Sequence, residues 1–120
     1  MNKVLKHDIW FATLPKAVPG NRVLSEPRPV IILSDETVNP NCPLVTVVPL
    51  SSRLDKPQDP TCVLITANKS SHLDCNSRAQ MTNITAIDKS LLRWRIGRVE
   101  NAFERLALQH ALAVHLGLGA

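Results

Sequence analysis

Two side chains in this sequence could hold a phosphate between them. Arg28 is an always-charged guanidinium at the start of one apolar run, and Ser51 is a hydroxyl at the end of the next. Pro27-Arg28-Pro29 opens Val30-Ile31-Ile32-Leu33, and the run Leu44 to Leu50 ends at Ser51-Ser52-Arg53. The stretch between them, Ser34 to Pro43, is rich in Asn, Pro and Asp, so the two runs read as a hairpin. A hairpin centred between Asn39 and Pro40 pairs Ile32 with Val47, Val30 with Pro49 and Arg28 with Ser51. A guanidinium facing a hydroxyl at the mouth of a sheet suits phosphoryl chemistry. A slip of one residue would turn Ser52 inward instead of Ser51.

The elements that must position this pair are short. Strand candidates lie at 7–14, 28–34, 44–51, 61–66, 78–85 and 92–98, separated by Pro, Asn, Asp and Ser clusters. They predict a mainly β, α+β fold, a small twisted sheet or barrel with one helix at 100–117. On that helix Phe103, Ala107, His110 and Val114 share one stripe, and Leu108, Leu112, His115 and Leu116 lie on another side. A helix apolar on two sides covers two surfaces: its own sheet, and either a partner subunit or more of the same core. The long loop 15–27 and the polar loop 52–60 are the candidates for functional loops.

The 120 residues suit a single domain spanning 1–120. Fourteen basic against ten acidic residues give a mild positive balance that permits RNA or an acidic partner. Aromatic residues are scarce (Phe11, Trp10, Trp94 and Phe103), which argues against a single-strand platform built from stacked aromatic rings. Arg93-Trp94-Arg95 looks like a nucleic-acid patch, although alternating charges on a strand usually mark its solvent face. Cys42, Cys62 and Cys75 are odd in number and lack metal-ligand spacing, so free thiols are expected, and neither a metal nor a cofactor. His7, His72, His110 and His115 show no arrangement that singles out an acid or base. No signal peptide and no run near the ~20 apolar residues of a membrane span is present, so a cytoplasmic location is expected.

The same residues carry a family resemblance. Asp8-Ile9-Trp10-Phe11-Ala12-Thr13-Leu14 resembles the G-D/E-I-W opening strand of the MazF/PemK (Kid) toxins of type II toxin–antitoxin systems. Pro27-Arg28-Pro29-Val30-Ile31-Ile32 is similar to their R-P-V-V-V strand, and Val47-Val48-Pro49-Leu50-Ser51-Ser52 to their V-V-P-I/L-T/S-S segment. Thr85-Ala86-Ile87-Asp88-Lys89 resembles R-T-I-D-K, and Arg95-Ile96-Gly97-Arg98 the segment before the last helix. The resemblance implies the CcdB/PemK toxin fold, related to Src-homology-3 barrels, and a homodimer. It implies a sequence-preferring endoribonuclease, an mRNA interferase that arrests growth by cutting single-stranded mRNA. It also implies a cognate antitoxin whose acidic, disordered segment occupies the RNA groove.

On this reading Arg28 and Ser51 are catalytic, and Ser52, Arg53, Arg22, Thr82 and Asn83 bind RNA. The implied chemistry is attack by the ribose 2′-OH on its own 3′-phosphate, which requires neither a protein nucleophile nor a metal. The sequence departs from the family in the positions associated with proton transfer. The loop before Arg28 has no His, leaving Arg22 or Glu26 as substitutes. Thr82, Asn83 and Thr85 stand where the family's D-Q-x-R has Asp, Gln and Arg. The rival readings are an RNA- or protein-binding module without catalysis, and a gyrase poison of the CcdB kind.

Overall fold

The computed structural model describes residues 3–16, 18–20, 24–55 and 59–119. Among these described residues, seven antiparallel strands, β1 Asp8–Ala12, β2 Arg28–Ile32, β3 Leu44–Ser51, β4 Cys62–Ile65, β5 Ser77–Gln80, β6 Thr85–Asp88 and β7 Leu92–Arg98, are followed by one α-helix, α1 Ala102–Leu116. The strand order is β4-β5-β3-β2-β1-β7, with β6 also paired to β3. β3 organises the sheet. One edge pairs with β2, while the other pairs first with β6 along Leu44–Val47 and then with β5 at Leu50 and Ser51. The β2–β3 register is the expected one, with Val30 opposite Pro49, Ile31 opposite Val48 and Ile32 opposite Val47.

Aliphatic, β-branched strands bury both faces of this sheet. Ile9, Ile31, Val48, Leu50, Val63 and Ile65 form one cluster with Leu108 and Ala111 of α1. Trp10, Ala12, Val30, Ile32, Val45, Val47 and Ile87 form the other, on the side away from the helix. The sheet is open rather than closed into a barrel, and α1 packs against β4 at one end of it. Asn101 caps the helix, its Oδ1 accepting from the Glu104 backbone N at 3.0 Å, and Gly117 ends it at φ 68°.

The single strand expected at 78–85 is two strands. A 3-10 turn, Met81–Asn83, divides β5 from β6 because Met81 drops into the core and the chain crosses from one half of β3 to the other. Thr82 and Asn83 therefore project from a turn rather than a strand. At the other end of the sheet, Gly97 has no room for a side chain, since the backbone of Ser70 and Ser71 lies where its Cβ would be.

His7 precedes β1 at φ 74°, which explains why a glycine suits this position in the sequences it resembles. Burial, followed by the nearby Arg105, Lys6 and Arg98, lowers its pKa from 6.5 to about 4. A depressed histidine pKa means that the unfolded chain binds the proton first. The contribution is therefore complete above pH 6.5 and is lost as pH falls toward 4. For a half-exposed ring the effect is ~1–2 kcal/mol after screening. Asp35, Asp59 and Asp88, whose pKa values are lowered below 3.8, weaken the fold only in stronger acid. His7→Gly is expected to flatten the fall in Tm between pH 6.5 and 4; an unchanged slope in thermal melts would show that another group carries it.

Candidate active site

Arg28 begins β2 half-buried. Its Nε donates to the Glu26 carbonyl at 3.2 Å and its Nη1 to the Leu50 carbonyl at 3.3 Å. Both acceptors are neutral, and no described carboxylate forms an ion pair with it, so the charge is held in place without being cancelled. Ser51 ends β3, and its Oγ accepts from the Arg53 backbone N at 3.2 Å. The paired ladder between β2 and β3 stops at Val30 and Pro49, where Pro49 has no N–H to donate. Beyond it β3 turns to β5, and successive side chains open onto two depressions.

The first depression, about 310 Å³, is lined by Arg28, Ser52, Asp74, Cys75 and their apolar neighbours. The second, about 490 Å³, is lined by Ser51, Arg53, Thr82, Asn83, Asp59, Arg78, Gln80 and Leu24. Arg28 thus shares its depression with Ser52, while Ser51 lies with the other expected RNA-binding residues, Arg53, Thr82 and Asn83. The Asn83 Oδ1 accepts from the Leu24 backbone N at 3.3 Å, tying the loop before Arg28 to the turn after β5. Arg53 carries an exposed ion pair to Asp55 at 3.3 Å, too solvated to fix it firmly. Arg22 lies outside the described residues. Glu26 is exposed, and it is its backbone carbonyl that meets Arg28.

Neither depression is lined by an imidazole. His72 lines a third, about 370 Å³, which shares Pro29, Leu73 and Asp74 with the Arg28 depression. Phe11 and Trp94 line the same hollow, stacked with ring centroids 4.5 Å apart and planes 7° from parallel. Two of the few aromatic residues are therefore gathered beside the site despite their scarcity in the chain. Cys42, Cys62 and Cys75 are free thiols, and among the described residues no three His, Cys, Asp or Glu side chains gather as metal ligands.

Sequence reading missed Arg78, Gln80 and Asp59. Asp59 holds a local turn, its Oδ1 accepting from the Thr61 backbone N at 2.7 Å and Oγ1 at 2.5 Å, and these bonds hold its carboxyl below the usual range. The available signal was the alternation of Arg78 and Gln80 around the small Ala79, which puts both polar groups on one strand face.

Residues 6–115 match the model of the PemK-like, MazF-like toxin of type II toxin–antitoxin systems. The chain belongs to this family. Among solved structures, the Mycobacterium tuberculosis toxin MazF-mt6 superposes with a TM-score of 0.74 at 26% identity, over 94% of this chain and 99% of that one. An endoribonuclease in complex with its cognate antitoxin, from a mycobacterial species, gives 0.73 at 20% identity over 98% of both chains. MazF from Deinococcus radiodurans gives 0.73 at 21% identity over 94% of both. In this PemK/MazF-like chain the family's Arg position is Thr85, on β6, paired with Val47 and half-buried.

Proposed function

We propose that this PemK/MazF-like toxin is a metal-independent endoribonuclease that cuts single-stranded mRNA, using Arg28 as the cation at the scissile phosphate. The observation that carries this reading is the Arg28 guanidinium, anchored by two carbonyls, without an ion-paired carboxylate among the described residues, and flanked by Ser52 and, in the next depression, Ser51. The ribose 2′-OH attacks the adjacent phosphorus and the bond to the 5′-oxygen of the next nucleotide breaks. The products are a 2′,3′-cyclic phosphate and a 5′-OH. Arg28 offsets the charge that builds on the phosphoryl oxygens as the nucleophile adds, and the serine hydroxyls orient them. Arg53, Thr82 and Asn83 contact the strand to either side. Incubating the purified protein with a long single-stranded RNA tests the reading: discrete fragments support it, and intact RNA with loss of DNA supercoiling would point to a gyrase poison instead.

The partners follow from the same assignment. The mycobacterial endoribonuclease was solved with its cognate antitoxin. For this chain an antitoxin with an acidic disordered segment suits the net charge of +4 and the uncancelled Arg28. No helix among the described residues is long and apolar enough to cross a membrane. A toxin that cuts mRNA would act in the cytoplasm.

The outer face of α1 supports a homodimer. Leu108 and Ala111 are buried and Leu112 packs on the core, while Phe103 is 83% and Leu106 66% exposed, with Val114 on the same side of the helix as Phe103. Sedimentation at micromolar concentration is expected to give twice the 13.2 kDa chain mass, and Phe103→Glu to shift the species toward monomer. A wild-type monomer under those conditions would rule out the dimer.

A further inference from the structure

The cleft that holds Ser51 contains a cation that none of the family-like motifs includes. Arg78 sits directly opposite Ser51 in the β3–β5 ladder, so the two side chains leave the same face of the sheet. Arg78 is half-buried, and its guanidinium is oriented from one side only. Nε donates to Cys62 Sγ at 3.0 Å and Nη2 donates to Gln80 Oε1. Gln80 is itself fixed. It is 9% exposed, and its Nε2 donates to Thr61 Oγ1 at 2.6 Å and to both Asp59 oxygens at 3.4 Å, which turns its Oε1 toward Arg78. A relay from Asp59 and Thr61 through Gln80 thereby holds the guanidinium, while Nη1 has no partner among the described residues and no described carboxylate forms an ion pair with it.

A half-buried cation held by an amide and a sulfur, sharing its cleft with Ser51 and Thr82 and with Asp59 near enough to feel its charge but not ion-paired to it, is an anion site. Resting on the ribonuclease reading above, we infer that Arg78, with Thr82, binds a backbone phosphate of the RNA next to the scissile one. The strand then crosses the end of β3, from the Arg28 depression into the larger cleft. Arg78 supplies from β5 a positive charge that Thr85 does not supply from β6. Gln80 is a positioning residue, acting through the guanidinium it holds.

The test is binding of an uncleavable pool of 2′-O-methyl oligoribonucleotides across a salt series, for wild type, Arg78→Gln, Arg78→Lys and Gln80→Glu. Arg78→Gln is expected to weaken binding on the order of tenfold, the scale of one charge-assisted contact. It should also make the slope of log affinity against log salt shallower by about 0.7, as for one phosphate lost. Arg78→Lys should keep the slope and lose part of the affinity. Gln80→Glu, which sets a carboxylate against the guanidinium and gives up the Nε2 bonds to Thr61 and Asp59, should reproduce Arg78→Gln even if the latter folds poorly. Wild-type affinity and slope in both Arg78→Gln and Gln80→Glu, with RNA cleavage by the wild type intact, would overturn this inference and leave the ribonuclease reading standing. A wild-type protein that neither binds nor cuts RNA would overturn both.

Discussion

Arg28→Ala is expected to fold like the wild type and to cut RNA about 10²–10³-fold more slowly, relieving growth arrest on expression. The size follows from where the charge sits. The guanidinium is held by the carbonyls of Glu26 and Leu50, so it is already oriented when the phosphate arrives and little reorganisation accompanies the reaction. Because those acceptors are neutral, the positive charge remains available to the transition state, in which negative charge on the phosphoryl oxygens is greatest. Folding is spared because Arg28 is half-buried at a strand start, outside both core clusters. Ser51→Ala and Ser52→Ala each remove one neutral hydroxyl and should cost on the order of tenfold. Their relative size reports which hydroxyl reaches the scissile phosphate: Ser52 shares the depression containing Arg28, Ser51 the one containing Arg78. Equal toxicity of Arg28→Ala and wild type would show that the reacting phosphate binds elsewhere.

The second large effect lies in the substrate. Replacing the ribose at a mapped cleavage step by 2′-deoxyribose removes the nucleophile itself, so cutting there should cease while cutting at other sites continues. Excess EDTA should leave the rate unchanged, because the attacking oxygen belongs to the RNA and no metal-bound hydroxide is required. Equal cleavage of the deoxy-substituted step would mean that water, activated by some other group, is the nucleophile.

The parts of this account that were legible in the sequence are those set by local pattern. The β2–β3 register could be read because a hairpin brings near neighbours together and side chains alternate with a period of two. The last helix could be read because good helix formers dominate 100–117, and α1 runs Ala102–Leu116. Two features depended on distant contacts. Residues 78–85 look like one strand, since apolar Met81 sustains the pattern; only the core pocket that takes Met81 and the switch between the two halves of β3 reveal the break. Alternation marks Arg78 and Gln80 as one polar strand face, but nothing near them in sequence shows that β5 pairs with the end of β3 and so brings that face to the site. The separation of Arg28 and Ser51 into adjacent depressions follows from Pro49, where the β2–β3 ladder ends and the strand that carried both registers turns away.

The most direct test of the central claim is the chemistry of the cut ends. Purified wild-type protein is incubated with a long single-stranded RNA in excess EDTA, beside Arg28→Ala, and the fragment termini are determined by mass spectrometry. The account predicts discrete fragments from the wild type, bearing a 2′,3′-cyclic phosphate on one side of each cut and a 5′-OH on the other, with little product from Arg28→Ala. Fragments carrying a 5′-phosphate, or cleavage that stops in EDTA, would contradict it.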